Sequence, residues 1–212
     1  MNWLDGLPVD ALGADGLGGS FGVGAPDDGY LANGVAIPED PAWQLRFPHR
    51  SYGDSYAVAA VVEALRDFRA RSAYEGPLRL WSMSRRYGGP LVDHDSHQSG
   101  RDIDIKLPLR ADLPGTLGAK PEWIDYGATW VLIDALARTG AVQEIFLDHE
   151  VQSRVESAAA ELGVDEARRR ELLSAPRPRL SKAGLVRHFD GHQDHVHVRF
   201  RCPPWGIYCT DR

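Results

Sequence analysis

The chain has 212 residues, of which 43% are apolar and 25% are charged, so it contains enough hydrophobic material for one well-packed domain. Its formal net charge of -6 argues against a nucleic-acid partner, because binding to phosphates requires a basic surface that releases counterions. No run reaches the roughly eighteen consecutive apolar residues that a bilayer requires, so the sequence predicts no membrane span.

The first part of the chain is rich in glycine and aspartate. Residues 1–29 lack a basic segment followed by an apolar core, so they do not resemble a secretory signal as they stand. We therefore predict a flexible leader over residues 1–29 and a single domain over residues 30–212. Ordered structure is expected to begin with extended and turn segments, because Pro38, Pro41 and Pro48 disfavour an early helix.

The hydrophobic pattern then predicts helices that alternate with a few strands. Apolar residues at spacings of three and four indicate helices, and strict alternation indicates strands. The predicted helices cover residues 55–71, 123–138, 151–162 and 165–174. The predicted strands cover residues 78–84, 102–107, 144–147 and 195–201. This interleaving predicts an α+β domain.

The histidines are unevenly distributed along the chain. Six of the eight fall into two short windows, VDHDSHQSGRDIDI with His94 and His97, and RHFDGHQDHVHVRF with His188, His192, His195 and His197. Such clustering indicates a shared chemical role. The two remaining histidines, His49 and His149, are predicted to be structural.

The strand pattern places part of this polar chemistry on one side of a sheet. Because side chains alternate along a strand, His195 and His197 share one face of the last predicted strand, and its valines take the other. Asp102 and Asp104 likewise share the polar face of an earlier strand. If the two strands are neighbours, imidazoles and carboxylates converge on one point.

This combination of side chains indicates a catalytic zinc site. Such a site takes three protein ligands and leaves a position for water, and two imidazoles with one carboxylate supply the three. Gly100 permits a tight turn that returns His97 toward Asp104. His195 and His192 are candidates for the base that takes a proton from the attacking water.

Two other interpretations of the same residues were weighed. A polar, solvated sheet face would need no metal, but it does not explain why two histidine windows occur. A structural zinc site is the stronger alternative, but structural zinc is usually closed by four ligands that include cysteines, and cysteines are absent from both windows.

The two cysteines, Cys202 and Cys209, lie close together near the end of the chain. In an oxidising compartment they would pair across a short loop, whereas in the cytosol they would remain thiols. We favour the disulfide.

The motifs resemble a known family. His-x2-Gly-x3-Asp at His97, Gly100 and Asp104, followed by His-x-His at His195 and His197, is similar to the signature of the LAS metallopeptidases. Within that group, SHQSGRDIDI, the spacing of the last three histidines and the following VRFRCP resemble the penicillin-insensitive murein endopeptidases. The segment LANGVAIP also resembles that family, so the likeness spans most of the chain.

The resemblance implies a fold, a substrate and a cofactor. Members of the family are zinc peptidases outside the cytoplasm, built as a compact α+β fold around a small central antiparallel sheet flanked by helices. They hydrolyse the D-alanyl to meso-diaminopimelyl cross-link between peptidoglycan stem peptides. The expectations for this chain are therefore peptidoglycan stem peptides as partner and a periplasmic or extracellular location.

The resemblance also assigns roles to individual residues. The positions that match the zinc ligands are His97, Asp104 and His197. The positions that match the proposed general base, an assisting histidine and a further site histidine are, in that order, His195, His192 and His94. The family's Asp-x2-His pair for an additional metal has no counterpart, because residues 107–123 contain no histidine, so one Zn2+ per chain is expected.

Three further expectations follow. Asp102 is predicted to orient a zinc ligand by hydrogen bonding. Arg85 and Arg86 are candidates for stabilising an oxyanion, with a solvated turn as the equal alternative. Two other functions remain open, namely a D,D-carboxypeptidase or dipeptidase acting on stem peptides, and a cell-wall-binding or metal-sequestering module without turnover.

Overall fold

The computed structural model describes residues 19–110 and 120–211. The helices in this part of the chain are Ser55–Arg71 (α1), Tyr126–Arg138 (α2), His149–Glu161 (α3) and Glu166–Leu172 (α4). The strands are Phe21–Ala25 (β1), Asp28–Ala32 (β2), Val35–Ala36 (β3), Trp43–Leu45 (β4), Tyr52–Gly53 (β5), Leu78–Leu80 (β6), Asp102–Lys106 (β7), Val142–Phe146 (β8), Val186–Arg187 (β9) and His195–Phe200 (β10). The predicted α+β class is confirmed.

The main sheet has six strands in the order β4-β6-β7-β10-β8-β9. Its four inner strands, β6, β7, β10 and β8, are antiparallel to their neighbours within that group. The edge strands β4 and β9 pair in parallel with β6 and β8. The antiparallel centre is therefore as expected, and each edge adds one parallel strand.

The helices pack on a single hydrophobic core. Phe68 of α1 and Leu132 of α2 are fully buried in it. From the sheet, Ile105, Val196 and Val198 join the same core. The apolar faces of β7 and β10 are thus the ones that the alternation predicted, and the opposite faces are left for polar side chains.

Each of these four helices begins after an aspartate whose carboxylate accepts a hydrogen bond from a backbone N–H of the first turn. These capping residues are Asp54, Asp125, Asp148 and Asp165. The cap satisfies an N–H that has no partner within the helix, and its charge suits the positive helix end. The predicted start of the second helix at residue 123 is therefore wrong, because Asp125 caps a helix that begins at Tyr126 after a separate 3-10 turn at Pro121–Trp123.

The predicted boundary between leader and domain at residue 29 is also wrong. β1 and β2 form an antiparallel hairpin, so ordered structure begins well before residue 30. The glycines that indicated flexibility instead allow close packing. A Cβ on Gly22 would lie 2.4 Å from the Ser99 carbonyl oxygen, and a Cβ on Gly29 would lie 2.3 Å from the Val23 carbonyl oxygen. The rest of the predicted leader, residues 1–18, lies outside the described residues.

The strand predicted over residues 78–84 is shorter than expected, because regular pairing ends at Leu80. Beyond it, the Trp81 N–H still donates to the Asp104 carbonyl oxygen at 2.9 Å. The Met83 N–H instead donates to the Arg50 carbonyl oxygen at 2.7 Å. This segment therefore lies beside the β7 strand without extending the ladder.

The C-terminal tail is fixed to the domain by a disulfide and a buried arginine. Cys202 and Cys209 are paired, as predicted. Arg101 is fully buried and donates to the Thr210 carbonyl oxygen and to the Asp211 carboxylate, both at 2.8 Å. Over the described residues, no helix has the length and apolar character needed to cross a membrane.

Candidate active site

The polar faces of β7 and β10 meet because these two strands are neighbours in the sheet. In their antiparallel register Asp104 lies opposite His197, and Asp102 lies opposite Arg199. Directly opposed residues on one face have Cβ atoms about 4.5–5.5 Å apart. The imidazole of β10 and the carboxylates of β7 therefore converge, as the strand pattern predicted for neighbouring strands.

His97 reaches this point from the loop before β7. Its backbone has a φ of 68°, and Gly100 follows with a φ of 71° at a place where a Cβ would lie 3.0 Å from the Cα of Gly53. The ring Nδ1–H donates to the Met83 carbonyl oxygen at 2.9 Å. This bond makes Nδ1 the donor to the backbone, so Nε2 is left facing Asp104 at 3.5 Å from Oδ2.

Asp104 is the centre of the cluster and is almost fully buried. Its Oδ2 lies 3.1 Å from His94 Nε2, and its Oδ1 lies 3.1 Å from His197 Nδ1 and 3.9 Å from His195 Nε2. Burial opposes ionisation of this carboxyl, but the charge of His97 and hydrogen bonds from the surrounding imidazoles hold its pKa well below the usual range. Asp104 is therefore a carboxylate at neutral pH.

Several buried donor atoms of the cluster have no hydrogen-bond partner among the described residues. They are His94 Nδ1, His97 Nε2, Asp104 Oδ1 and His197 Nε2. Buried polar atoms are normally hydrogen-bonded, and leaving one unpaired costs about 1–3 kcal/mol. Imidazole nitrogens and a carboxylate oxygen are the donor types that zinc takes, so these residues fit a zinc ion.

The closest grouping of ligand atoms contains His94 together with two of the three predicted ligands. Ligand atoms of His94, His97 and Asp104 all lie within 4.8 Å of one another. His197 adjoins this group, with its ring centroid 4.8 Å from that of His97. The geometry therefore gives His94 a place beside the three predicted ligands.

His197 is held between two carboxylates. Its Nε2 lies 3.3 Å from Asp102 Oδ2, within ion-pair distance, but without the geometry of a hydrogen bond. Burial alone would lower the pKa of His197, but Asp102 and Asp104 raise it to about 9. Arg199 donates to both oxygens of Asp102, at 3.0 and 3.1 Å, and His197 and Arg199 together keep the pKa of Asp102 below its usual range despite complete burial.

His195 is oriented by a carboxylate that the sequence interpretation did not single out. Its Nδ1–H donates to Asp194 Oδ1 at 2.9 Å, which directs Nε2 toward Asp104. Lys106 pairs with the other Asp194 oxygen, and its Nζ lies 4.4 Å from the centroid of the Trp81 ring. Burial would raise the pKa of Asp194, but hydrogen bonds from His195 and Lys106 lower it to about 2.

His192 lies beside His195 but lacks such a carboxylate. Its ring centroid is 4.7 Å from that of His195, and its Nδ1–H donates to the Asp190 carbonyl oxygen at 3.0 Å. Burial is the main cause that lowers the pKa of His192 to about 4. At neutral pH this ring is therefore uncharged, with Nε2 available as an acceptor.

A cavity of about 660 Å³ brings these side chains together. The predicted site residues that line it are His94, His97, Asp104, His192, His195 and His197. Asp102 lies beneath its floor. Arg85 and Arg86 are exposed and do not line the cavity, so the solvated-turn interpretation holds for both.

Residues other than the predicted ligands and bases also line the cavity. Arg50, Phe146 and Phe189 line it, and of these only Phe189 lies within a histidine window. Trp81 also lines it and stacks on His195, with ring centroids 6.1 Å apart and an interplanar angle of 17°. Phe189 and Asp194 offered a local signal, since both lie within the second histidine window, and Asp194 directly precedes His195.

Comparison with known proteins identifies the family of this chain. The model of the family described as penicillin-insensitive murein endopeptidase matches residues 22–212. A penicillin-insensitive murein endopeptidase of Klebsiella pneumoniae is 26% identical over 215 residues, which cover 92% of this chain and 72% of that protein. One of Yersinia enterocolitica is 28% identical, with 90% and 69% covered, and one of Yersinia pestis is 27% identical, with 90% and 71% covered. Because the family match spans nearly the whole chain, the protein belongs to the penicillin-insensitive murein endopeptidase family.

Proposed function

We propose that this protein is a zinc-dependent peptidase that hydrolyses D-alanyl to meso-diaminopimelyl cross-links between peptidoglycan stem peptides. The observation that carries the proposal is the set of buried, unpaired donor atoms on His97, Asp104 and His197 beside an oriented histidine. The names of the relatives, which are murein endopeptidases, supply the substrate class.

One zinc ion per chain would be held by His97, Asp104 and His197, with His94 as the alternative imidazole. A bound zinc would supply Lewis acidity to the scissile carbonyl and to a water molecule. Because Asp102 and Asp104 favour a protonated His197, that proton must leave when the ring binds a metal.

The chain's own residues would manage the protons. His195 Nε2 takes the proton of the attacking water, and the adjacent Asp194 carboxylate orients the ring and stabilises the imidazolium that forms. The same nitrogen then returns a proton to the leaving amine as the C–N bond breaks. His192, uncharged and 4.7 Å from His195 between ring centroids, would act as an acceptor that holds the water or the amine.

The proposed location is the periplasm or the extracellular space. A disulfide persists in oxidising compartments and is rare where glutathione and thioredoxin keep thiols reduced. The Cys202–Cys209 pair is consistent with that placement, as is a cell-wall substrate.

Digestion of purified cross-linked peptidoglycan tests the proposal. Zinc-loaded protein should convert muropeptide dimers into monomers, measured by mass spectrometry, and a chelator should abolish the conversion. Release of terminal D-alanine with dimers intact would favour the D,D-carboxypeptidase. Binding to the cell wall without any product would favour a module without turnover.

A further inference from the structure

The polar face of the sheet continues past the candidate active site to the edge strand β4. β6 pairs with β7 at Leu80 and Ile105, so Arg79 and Trp81 flank that pair on the face that carries Asp104 and Lys106. Across the next ladder Arg79 lies opposite Gln44 of β4. One continuous polar surface therefore runs from His195 to the sheet edge.

A second cavity, of about 860 Å³, lies over this extension. Trp81 lines both cavities, so the indole that stacks on His195 also forms a wall of the neighbouring space. Phe47 lines the first cavity, and its neighbours Arg46 and Pro48 line the second. The two cavities are thus adjacent parts of one groove.

Two cations of the second cavity have no acidic partner among the described residues. Arg79 is partly buried, and its guanidinium forms neither a hydrogen bond nor an ion pair in this part of the chain. Arg46 is exposed and lies over the Phe47 ring, with Cζ 5.5 Å from the centroid. A third cation, Lys106, is already paired with Asp194.

The acidic residues of the same cavity do not neutralise these arginines. Asp40 uses its Oδ1 to accept the Ala42 N–H at 2.8 Å. Glu39 is exposed at the rim and forms no ion pair with another described residue. Two arginines therefore offer free planar donor groups on one side of the catalytic histidine, and a planar guanidinium suits a carboxylate.

We propose that Arg79 and Arg46 form a specificity subsite that binds a free carboxylate of the peptide substrate while the scissile bond lies beside His195. The subsite rests on the proposed function, because it takes the substrate to be an acidic stem peptide. Diaminopimelate and a C-terminal D-alanine both carry carboxylates near such a cross-link. Trp81 forms the wall between the carboxylate and the reacting bond.

Binding of a soluble muropeptide dimer tests the subsite without requiring cleavage. Isothermal titration calorimetry on the chelator-treated full-length protein would compare the dimer bearing free carboxylates with the same dimer after those carboxylates are converted to amides. A lost charge-assisted hydrogen bond corresponds to roughly tenfold in affinity, so the wild type should bind the amide about tenfold more weakly. Arg79→Gln and Arg46→Gln should each reduce that preference.

Arg85→Gln supplies the matched control, because it removes an exposed arginine that lines neither cavity. It should keep the wild-type preference. With zinc-loaded protein, Arg79→Gln should raise KM on the acidic dimer by roughly tenfold and leave kcat within about twofold.

The outcomes separate the two proposals. Equal affinity of the wild type for the acidic and amidated dimers, or an unchanged preference in both arginine variants, would overturn the subsite. If the preference depends on Arg79 and Arg46 but zinc-loaded protein leaves dimers uncut, the subsite stands and the proposed endopeptidase activity falls. If dimers are cut with no dependence on either arginine, the proposed endopeptidase activity stands and the subsite falls.

Discussion

His97 adopts a left-handed backbone conformation that is uncommon for a residue other than glycine, and such a conformation costs of order 1–3 kcal/mol. The ring is nevertheless buried and fixed through its bond to the Met83 carbonyl oxygen. Strain of this kind persists only where the surrounding structure enforces it. At this position it directs Nε2 toward Asp104.

The first prediction at this scale concerns His97. His97→Ala removes an imidazole whose free nitrogen faces Asp104, so the variant should lose zinc and with it all activity. Metal content by mass spectrometry after dialysis would measure the loss. His49→Ala, at an exposed position outside both cavities, is the control and should retain the metal.

His94 and His197 are the two candidates for the third donor to the proposed zinc ion, and a pair of variants separates them. If His197 is the ligand, His197→Ala should weaken zinc binding by orders of magnitude, and His94→Ala should weaken it by roughly 10–100-fold, as expected for a residue near a ligand. Competition titration with a chromogenic chelator measures both. The opposite ranking would transfer the ligand role to His94.

The role of His195 as base gives a third prediction. His195→Ala should retain zinc, because the ring lies outside the proposed ligand set, and it should lose about 10²–10⁴-fold in kcat. Muropeptide cleavage and metal content would be measured on the same preparation. Full activity in this variant would show that another residue, with His192 the first candidate, accepts the proton.

At the scale of elements, the helices share a capping pattern that also produces a pH-sensitive site. Asp54 caps α1 by accepting the Ala57 N–H at 2.7 Å, yet it is fully buried. Burial raises its pKa to about 7, although the Ala57 bond and the charge of Arg101 oppose the shift. Helix propensity and capping determine where α1 begins. The free-energy cost of ionising Asp54 arises instead from the residues that bury it.

The fourth prediction follows from the sign of that shift. Because the folded-state pKa lies above the ordinary aspartate value of 3.8, the stability that Asp54 contributes is present below about pH 4 and is lost as pH rises through about 7. Asp54→Asn removes this dependence. The free energy of unfolding of the variant minus that of the wild type should therefore increase from pH 4 to pH 7, by at most about 1.4 kcal/mol per pH unit.

Denaturant unfolding at several pH values measures the difference, with both proteins treated with a chelator. Asp165→Asn is a matched control, since Asp165 caps α4 at an exposed position. A constant offset between wild type and Asp54→Asn across the range would contradict the prediction.

At the scale of the whole molecule, the tail after β10 closes the domain around Arg101. The buried guanidinium bonds to Phe200, Thr210 and Asp211, and the Cys202 N–H also donates to Asp211. The hairpin of β1 and β2 meets the same tail, since the Gly24 N–H donates to the Tyr208 carbonyl oxygen at 2.8 Å. The two ends of the described chain thus stabilise each other.

The fifth prediction is that the disulfide contributes to this closure. The Cys202→Ser, Cys209→Ser double variant should lose roughly 2–3 kcal/mol of unfolding free energy, as expected when a short loop is no longer closed in the unfolded chain. Chemical denaturation of the wild type with and without reductant gives an independent comparison. A change below about 0.5 kcal/mol would indicate that Arg101 alone holds the tail.

Local sequence patterns were sufficient to predict the α+β class, the extent of α1, the polar faces of β7 and β10 and the histidines that line the cavity. These features depend on periodicity and on spacing within one segment, both of which are local properties of the chain. The prediction of a flexible leader failed at residues 21–29, because glycine content indicated flexibility whereas the hairpin needs glycine for close packing.

The residues that contact the candidate catalytic histidine, and the extent of the groove beside it, became evident only in the folded chain. Arg79 and Trp81 come from the segment around β6 and Asp194 directly precedes β10, and they meet because β6, β7 and β10 lie side by side in the sheet. The pairing of distant strands and the burial that shifts the ionisation of Asp54 and His197 depend on contacts between residues far apart in the chain. No local pattern encodes such contacts, since they arise only when the core closes.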